Sequence, residues 1–237
     1  MIKYNTKTIN KVATDSTINK MYYGGDLAYQ YISTTPSSRL PDGYTEVEYV
    51  ENTSSVGLDL GVTANQDTRI VVTMQTVTDT NNGRLLGCGG YDRIDNGWQF
   101  NFESGSEGTL HISWGTIAGW TEYSYYGDYN VHEYDWDKNN FYVDKGTANE
   151  FSATTTYGTF QTTDTIGLFC NKQNSYGGFE NFWKGKCFSC KLYDDGTLIK
   201  DLIPCTRDSD SKAGMYDIVN NVFFYPPSGD LVAGNQV

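Results

Sequence analysis

The chain has 237 residues, enough for one well-cored domain with an appendage and too few for two full catalytic domains of ordinary size. Its 25 glycines, 19 tyrosines, 5 prolines and 38% hydrophobic content describe an aromatic, turn-rich β protein and exclude a fibre repeat. Asp and Glu total 29 against 17 Lys and Arg, and the net charge of −12 repels a nucleic-acid backbone or an anionic membrane surface.

Residues 1–38 stand apart. Four lysines (Lys3, Lys7, Lys11, Lys20) against Asp15 and Asp26 give them a balance of +2, so a chain of −12 holds −14 in the remainder. They also repeat: Thr8-Ile9-Asn10-Lys11-Val12 recurs as Thr17-Ile18-Asn19-Lys20-Met21, and Tyr22 to Tyr29 reads as a third, degraded unit. Each unit spells one short strand and one polar turn. Such a strand cannot bury its apolar side alone, so it must stack on its neighbours, on another copy or on a different protein. Residues 1–38 are therefore expected to be an attachment arm and linker, with Ile9, Lys11, Val12, Ile18, Lys20 and Met21 as its contact residues. The N-terminal MIKYNTKTIN lacks the apolar core of a signal peptide, and no run nears the roughly 18 apolar residues of a membrane span, so cytoplasmic synthesis without membrane insertion is expected.

After the linker Ser33–Ser38, with Pro36 and Pro41 bracketing the boundary, strand candidates follow one another: 45–50, 68–77, 84–88, 97–102, 109–114, 130–136, 141–143, 165–170, 186–193, 197–203 and 222–225. No stretch of ten residues holds a 3.6 period between caps, which excludes an α/β fold and leaves a two-sheet antiparallel sandwich. Two hairpins are explicit. One joins His132–Trp136 to Phe141–Val143 through Asp137-Lys138-Asn139-Asn140, and the other turns at Asp195-Gly196. In the first, Glu133, Asp135 and Asp137 share one face as a solvated carboxylate row, while His132, Tyr134 and Trp136 share the other.

Five cysteines, an odd number, lie mostly in apolar runs and read as buried free thiols. Alternation along a strand sends Cys187 and Cys190 to opposite faces, which argues against zinc or redox chemistry. Asp92 and Asp95 sit in a loop that offers hard oxygen ligands for calcium, but Arg93 competes and a plain turn is the favoured reading; no cofactor is expected.

The phrases Leu40-Pro41-Asp42-Gly43-Tyr44-Thr45-Glu46-Val47-Glu48-Tyr49-Val50-Glu51, Leu58-Asp59-Leu60-Gly61-Val62, Phe182 to Tyr193, Asp201-Leu202-Ile203-Pro204-Cys205 and Gly214 to Asn220 resemble the concanavalin A-like (laminin-G-like) jelly-roll domain of bacteriophage and prophage virion proteins. The likeness spans about residues 40–235. It implies an all-β jelly-roll sandwich over residues 39–237, displayed on a virion surface from an N-terminal segment and assembled in the host bacterial cytoplasm. The expected protein is a non-enzymatic capsid decoration or head-fibre component, a homo-dimer or trimer that contacts other virion proteins through residues 1–38. A tail-fibre or receptor-binding carbohydrate module is the alternative. A polysaccharide hydrolase using Glu133 and Asp135 is the second, although hydrolases of this family carry Glu where this chain has Asp137.

The run from Trp114 to Trp136 is the chain's most aromatic. Packing across the sandwich, a subunit interface and stacking on host glycan are three open readings of it. For the third, the segment from Trp120 to Tyr129, which Gly119 and Gly127 allow to project as a loop, would supply Trp120, Glu122, Tyr123, Tyr125, Tyr126 and Asp128 as ligand-binding residues.

Overall fold

A computed structural model describes the backbone of residues 2–4, 7–9, 20–23, 26–30, 39–78, 83–89, 98–103, 109–113, 121–123, 129–154, 159–173 and 178–237, and side chains for 39–78, 83–89, 129–154, 159–173 and 178–237. The chain divides into two units, Met1–Arg39 and Leu40–Val237.

In the first unit β1 (Ile2–Tyr4) pairs antiparallel with β2 (Lys7–Ile9), and β3 (Lys20–Tyr23) with β4 (Asp26–Gln30). Each short strand thus finds its ladder partner within a local hairpin. Ile9 lies in β2, Lys20 and Met21 in β3; Lys11, Val12 and Ile18 lie outside the described residues.

The second unit runs β5 (Tyr44–Glu46), β6 (Val50–Asn52), β7 (Leu58–Asn65), β8 (Thr68–Thr76), β9 (Arg84–Cys88), β10 (Trp98–Glu103), β11 (Thr109–Ser113), β12 (Thr121–Tyr123), β13 (Val131–Asp137), β14 (Asn140–Val143), β15 (Phe151–Thr154), β16 (Gln161–Leu168), β17 (Asn171–Gln173), β18 (Gly178–Glu180), β19 (Gly185–Asp194), β20 (Thr197–Arg207), β21 (Lys212–Asp217), β22 (Val222–Phe224) and β23 (Val232–Ala233). The smaller sheet orders as β12-β11-β10-β9-β16-β7, with β17 beside β9 and β18 beside β17. The larger orders as β15-β14-β13-β8-β19-β20-β21-β22, with β5, β6 and β23 attached. Among the described residues there is no helix, and strand pairing is antiparallel except between β17 and β9. The all-β, two-sheet antiparallel jelly-roll sandwich expected from the sequence is the fold observed.

Its core follows from alternation. Along β8 the even residues Thr68, Ile70, Val72 and Met74 are buried and the odd ones face out. Ile70, Val72 and Met74, with Trp136, Phe141 and Leu192, share one buried cluster with Leu58, Leu60, Ala64, Ile166 and Leu168 of the smaller sheet. Both expected hairpins form. Asp194 pairs with Thr197 around Asp195 (φ 44) and Gly196 (φ 77), the left-handed pair that matches the twist of the flanking strands.

Several expectations change. The single strand at 45–50 is two, because β5 pairs with β20 while β6 pairs with β19 and β23. Strands β7, β15, β17, β18, β21 and β23 were unexpected, and β7 and β21 are each interrupted in sequence by glycine. At Gly214 in β21 a Cβ would lie 2.2 Å from the Phe224 carbonyl oxygen, so glycine there permits close strand approach and is no turn. Residues 121–123, read as loop, form β12 against β11. Finally, a bulge in β19 opposite β8 places both Cys187 and Cys190 in the core, where strict alternation separates them: Cys187 faces Met74, Ser189 faces Thr73, and Phe188 is the extra residue.

Candidate ligand-binding face

The outward face of the larger sheet is assembled by register. One row crosses it as Ser152, Tyr142, Asp135, Val71, Lys191 and Asp201, each opposite the next. A second row sets Glu133, Thr73 and Ser189 side by side, and Ser189 donates a hydrogen bond to Thr73 Oγ1 at 3.1 Å. A third sets Asp137, Arg69 and Tyr193 together.

Across these rows runs an alternation of rings and charges. Arg69 Nε and Nη2 donate to the two Asp135 oxygens, both at 2.8 Å, from the diagonal cross-strand position. Lys145 Nζ donates to Asp135 Oδ2 at 3.2 Å. Arg69 lies 5.3 Å from the Tyr193 ring centre and Lys145 lies 4.0 Å from that of Tyr142. The hydrogen bond to Asp135 raises the Arg69 pKa above its ordinary value. Asp135 is only 2% exposed, which corrects the expected solvated carboxylate row. The sequence alone could not show it, because the neutralising arginine sits 66 residues away. Glu133 stays exposed and Asp137 half-buried.

The β19 bulge serves this face too. It turns Phe188 outward, where its ring lies 5.4 Å from that of Tyr49, and Lys186 Nζ sits 4.3 Å over Tyr49. Inward, burial pushes the Cys187 thiol up to about 12 and Cys190 well above its usual value. Cys205 rises to about 12 for the same reason, and Cys170 rises as well. The five cysteines are free and buried, as expected, and these four are held as protonated thiols unsuited to metal or redox chemistry.

Other polar clusters tie the frame together. His132 Nδ1 meets Asp144 Oδ2 at 2.6 Å, and the other Asp144 oxygen accepts the Glu133 amide at 3.0 Å. Lys172 bridges Asp59 and Thr165, pinning β17 to β7 and β16. Burial raises the Asp59 pKa, but hydrogen bonds from Lys172, Thr165 and the Gly61 amide outweigh it and hold the carboxyl below the usual range. Among the described residues no three His, Cys, Asp or Glu side chains are grouped to hold a metal ion.

Of the sequence-based ligand candidates, Glu122 and Tyr123 lie in β12, the outermost strand of the smaller sheet; Trp120, Tyr125, Tyr126 and Asp128 lie outside the described residues, as do Asp92 and Asp95. Arg69, Tyr142, Lys145, Phe188 and Tyr193 were missed. The alternation of 68–76 already pointed Arg69 outward, but its partners depend on register.

No protein-family model matches the chain, and no curated protein matches it. Among solved structures it is similar to the CBM40 of the Ruminococcus gnavus IT-sialidase bound to alpha2,3 sialyllactose, at 15% identity and a TM-score of 0.39, over 62% of this chain and 89% of that one. It is also similar to a native heptameric SAP-like pentraxin from Limulus polyphemus, at 11% identity and a TM-score of 0.43, over 81% of this chain and 94% of that one. At these identities the likeness is one of chain architecture alone.

Proposed function

We propose that the chain is a non-enzymatic bacteriophage virion surface protein, a capsid decoration or head-fibre component held by residues 1–38, whose larger sheet contacts host glycan without cleaving it. The observation that carries binding without cleavage is the Asp135 carboxylate, with both oxygens engaged by Arg69 and a third bond from Lys145. Carboxylate-pair glycoside hydrolysis needs one acid free to give a proton and a second free to attack or activate water. Asp135 is free for neither, and Asp144, the carboxylate across the hairpin from Glu133, has one oxygen engaged by His132 Nδ1 and the other by the Glu133 amide. What remains is a floor of hydroxyls and charges flanked by Tyr142, Tyr193, Tyr49 and Phe188, a surface suited to stacking and hydrogen bonding a sugar. The virion assignment draws its support from the family resemblance over residues 40–235 and from the separate, oppositely charged first unit. Repetition on a particle would turn weak single-site contacts into firm adhesion.

Two outcomes follow. A fragment beginning at Leu40 should keep the β circular-dichroism signature and lose incorporation into particles; an unfolded fragment, or unchanged incorporation, removes the division of labour. In the full chain, Tyr142→Ala with Phe188→Ala should lower retention on a host-glycan array about tenfold while moving the Tm by only a few degrees. If retention falls with Trp120→Ala and Tyr125→Ala instead, the smaller sheet is the contact face.

A further inference from the structure

At the other edge of the larger sheet, away from Asp135, four aromatic rings converge. Tyr44 lies 4.6 Å from Tyr216 and 5.3 Å from Phe223, and Phe223 lies 5.5 Å from Tyr225 with ring planes 20° apart. Leu40, Ile203, Cys205 and Tyr216 form the buried apolar base on which Tyr44 and Phe223 rest. Arg207 spans the two outer rings, its Cζ 5.1 Å from Phe223 and 4.9 Å from Tyr225. The same guanidinium donates to Asp210 from Nε at 3.0 Å and from Nη2 at 2.7 Å. A tight turn fixes both partners, since the Ser211 amide donates to the Arg207 carbonyl at 2.8 Å and the Lys212 amide to Asp210 Oδ1 at 3.3 Å.

We propose that this shelf is a second carbohydrate-contact site, in which Tyr225 stacks against a neutral pyranose while Asp210 and Arg207 take its hydroxyls. Tyr225 is 43% exposed although Phe223 and Arg207 hold its position, so a ring is presented to solvent already ordered. Such a ring loses little entropy on binding and is uneconomical as mere packing. The Arg207–Asp210 fork beside it offers donors and acceptors with fixed directions, the pairing that adjacent sugar hydroxyls require. The hydrogen bond from Arg207 holds the Asp210 carboxyl below its usual range, which keeps it an acceptor.

Charge decides the ligand class. Asp208 follows Arg207 directly and accepts a hydrogen bond from Thr45, and Lys212, opposite Arg207 in register, is paired with Asp230. With Asp210 occupying the fork as well, an anionic ligand is repelled and a neutral one is not. Addition of a partner strand is disfavoured, because β22 is three residues long and Pro226-Pro227 follow it. The site stands on its own geometry and does not rest on the Asp135 face.

The test is saturation-transfer NMR on the full chain carrying Tyr142→Ala and Phe188→Ala, which silences the rings of the other face. The probes are tetrasaccharides of glucose, galactose, mannose and N-acetylglucosamine. Transfer to the pyranose ring protons of at least one probe is expected, falling fivefold or more with Tyr225→Ala, Asp210→Asn or Arg207→Lys and surviving in Tyr225→Phe. No transfer from any of the four, or transfer indifferent to Tyr225→Ala in a chain with native circular dichroism, overturns the proposal. Comparison with the chain bearing the native Tyr142 and Phe188 reports separately on the Asp135 face.

Discussion

Asp217→Ala is expected to lower stability by about 3–5 kcal/mol, the usual consequence of leaving a buried charge without its partner. Asp217 is wholly inaccessible and Lys200 nearly so, with Lys200 Nζ 3.2 Å from Asp217 Oδ2. The carboxylate also accepts the Asp201 and Val219 amides at 3.2 and 3.1 Å and the Asn220 side chain at 2.7 Å, closing the turn between β21 and β22. Burial pushes the Asp217 pKa up, but the bonds from Asn220, Asp201 and Lys200 outweigh it and hold the group below its usual value. A carboxyl depressed in the folded state contributes its stability in full above the unfolded pKa of about 3.9 and loses it as pH falls through the folded value. The wild type should therefore weaken below about pH 4, and Asp217→Asn, which keeps the shape without the charge, should show less of that acid slope. Urea midpoints across pH 2–7 measure both. An alanine variant as stable as the wild type would show that Lys200 finds another partner.

Trp183→Ala should cost a further, independent 3–5 kcal/mol or so. The indole is 1% exposed and stacks on Phe169 at 6.0 Å and 12°. Its backbone is tied in twice, by its amide to the Phe169 carbonyl at 2.9 Å and by Asn52 Nδ2 to its carbonyl at 2.7 Å. A Cβ on Gly185 would fall 2.2 Å from Trp183 Cη2, so there is no slack around the ring. Among the described residues Trp183 Nε1 is buried without an acceptor, so Trp183→Phe removes an unsatisfied donor along with the contacts and should be much milder than alanine. Denaturant midpoints for the two variants check the order, and equal losses would contradict it.

The fold was legible where local chemistry decides it. Asp195-Gly196 and the turn at Lys138-Asn139 fixed two hairpins, and the alternation of 68–76 fixed which face of β8 is core. It was illegible where a neighbour decides. Gly61 and Gly214 break the pattern of β7 and β21, whose identity comes from the strands beside them. One inserted residue at Phe188 reverses the parity of the rest of β19, placing Cys187 and Cys190 together and sending an aromatic ring outward. The candidate face was the least legible part. Glu133, Asp135 and Asp137 share a strand side on spacing alone, but what Asp135 can do depends on Arg69 and Lys145, which reach it only through register.

One sample tests both glycan contact and the lack of cleavage. The full chain is mixed with purified host surface polysaccharide, and retention and new reducing ends are followed together for the wild type and Glu133→Gln. Saturable retention with no reducing ends from either protein is the predicted result. Reducing ends that accumulate with the wild type and vanish with Glu133→Gln would contradict it and return Glu133 to the role of a catalytic acid.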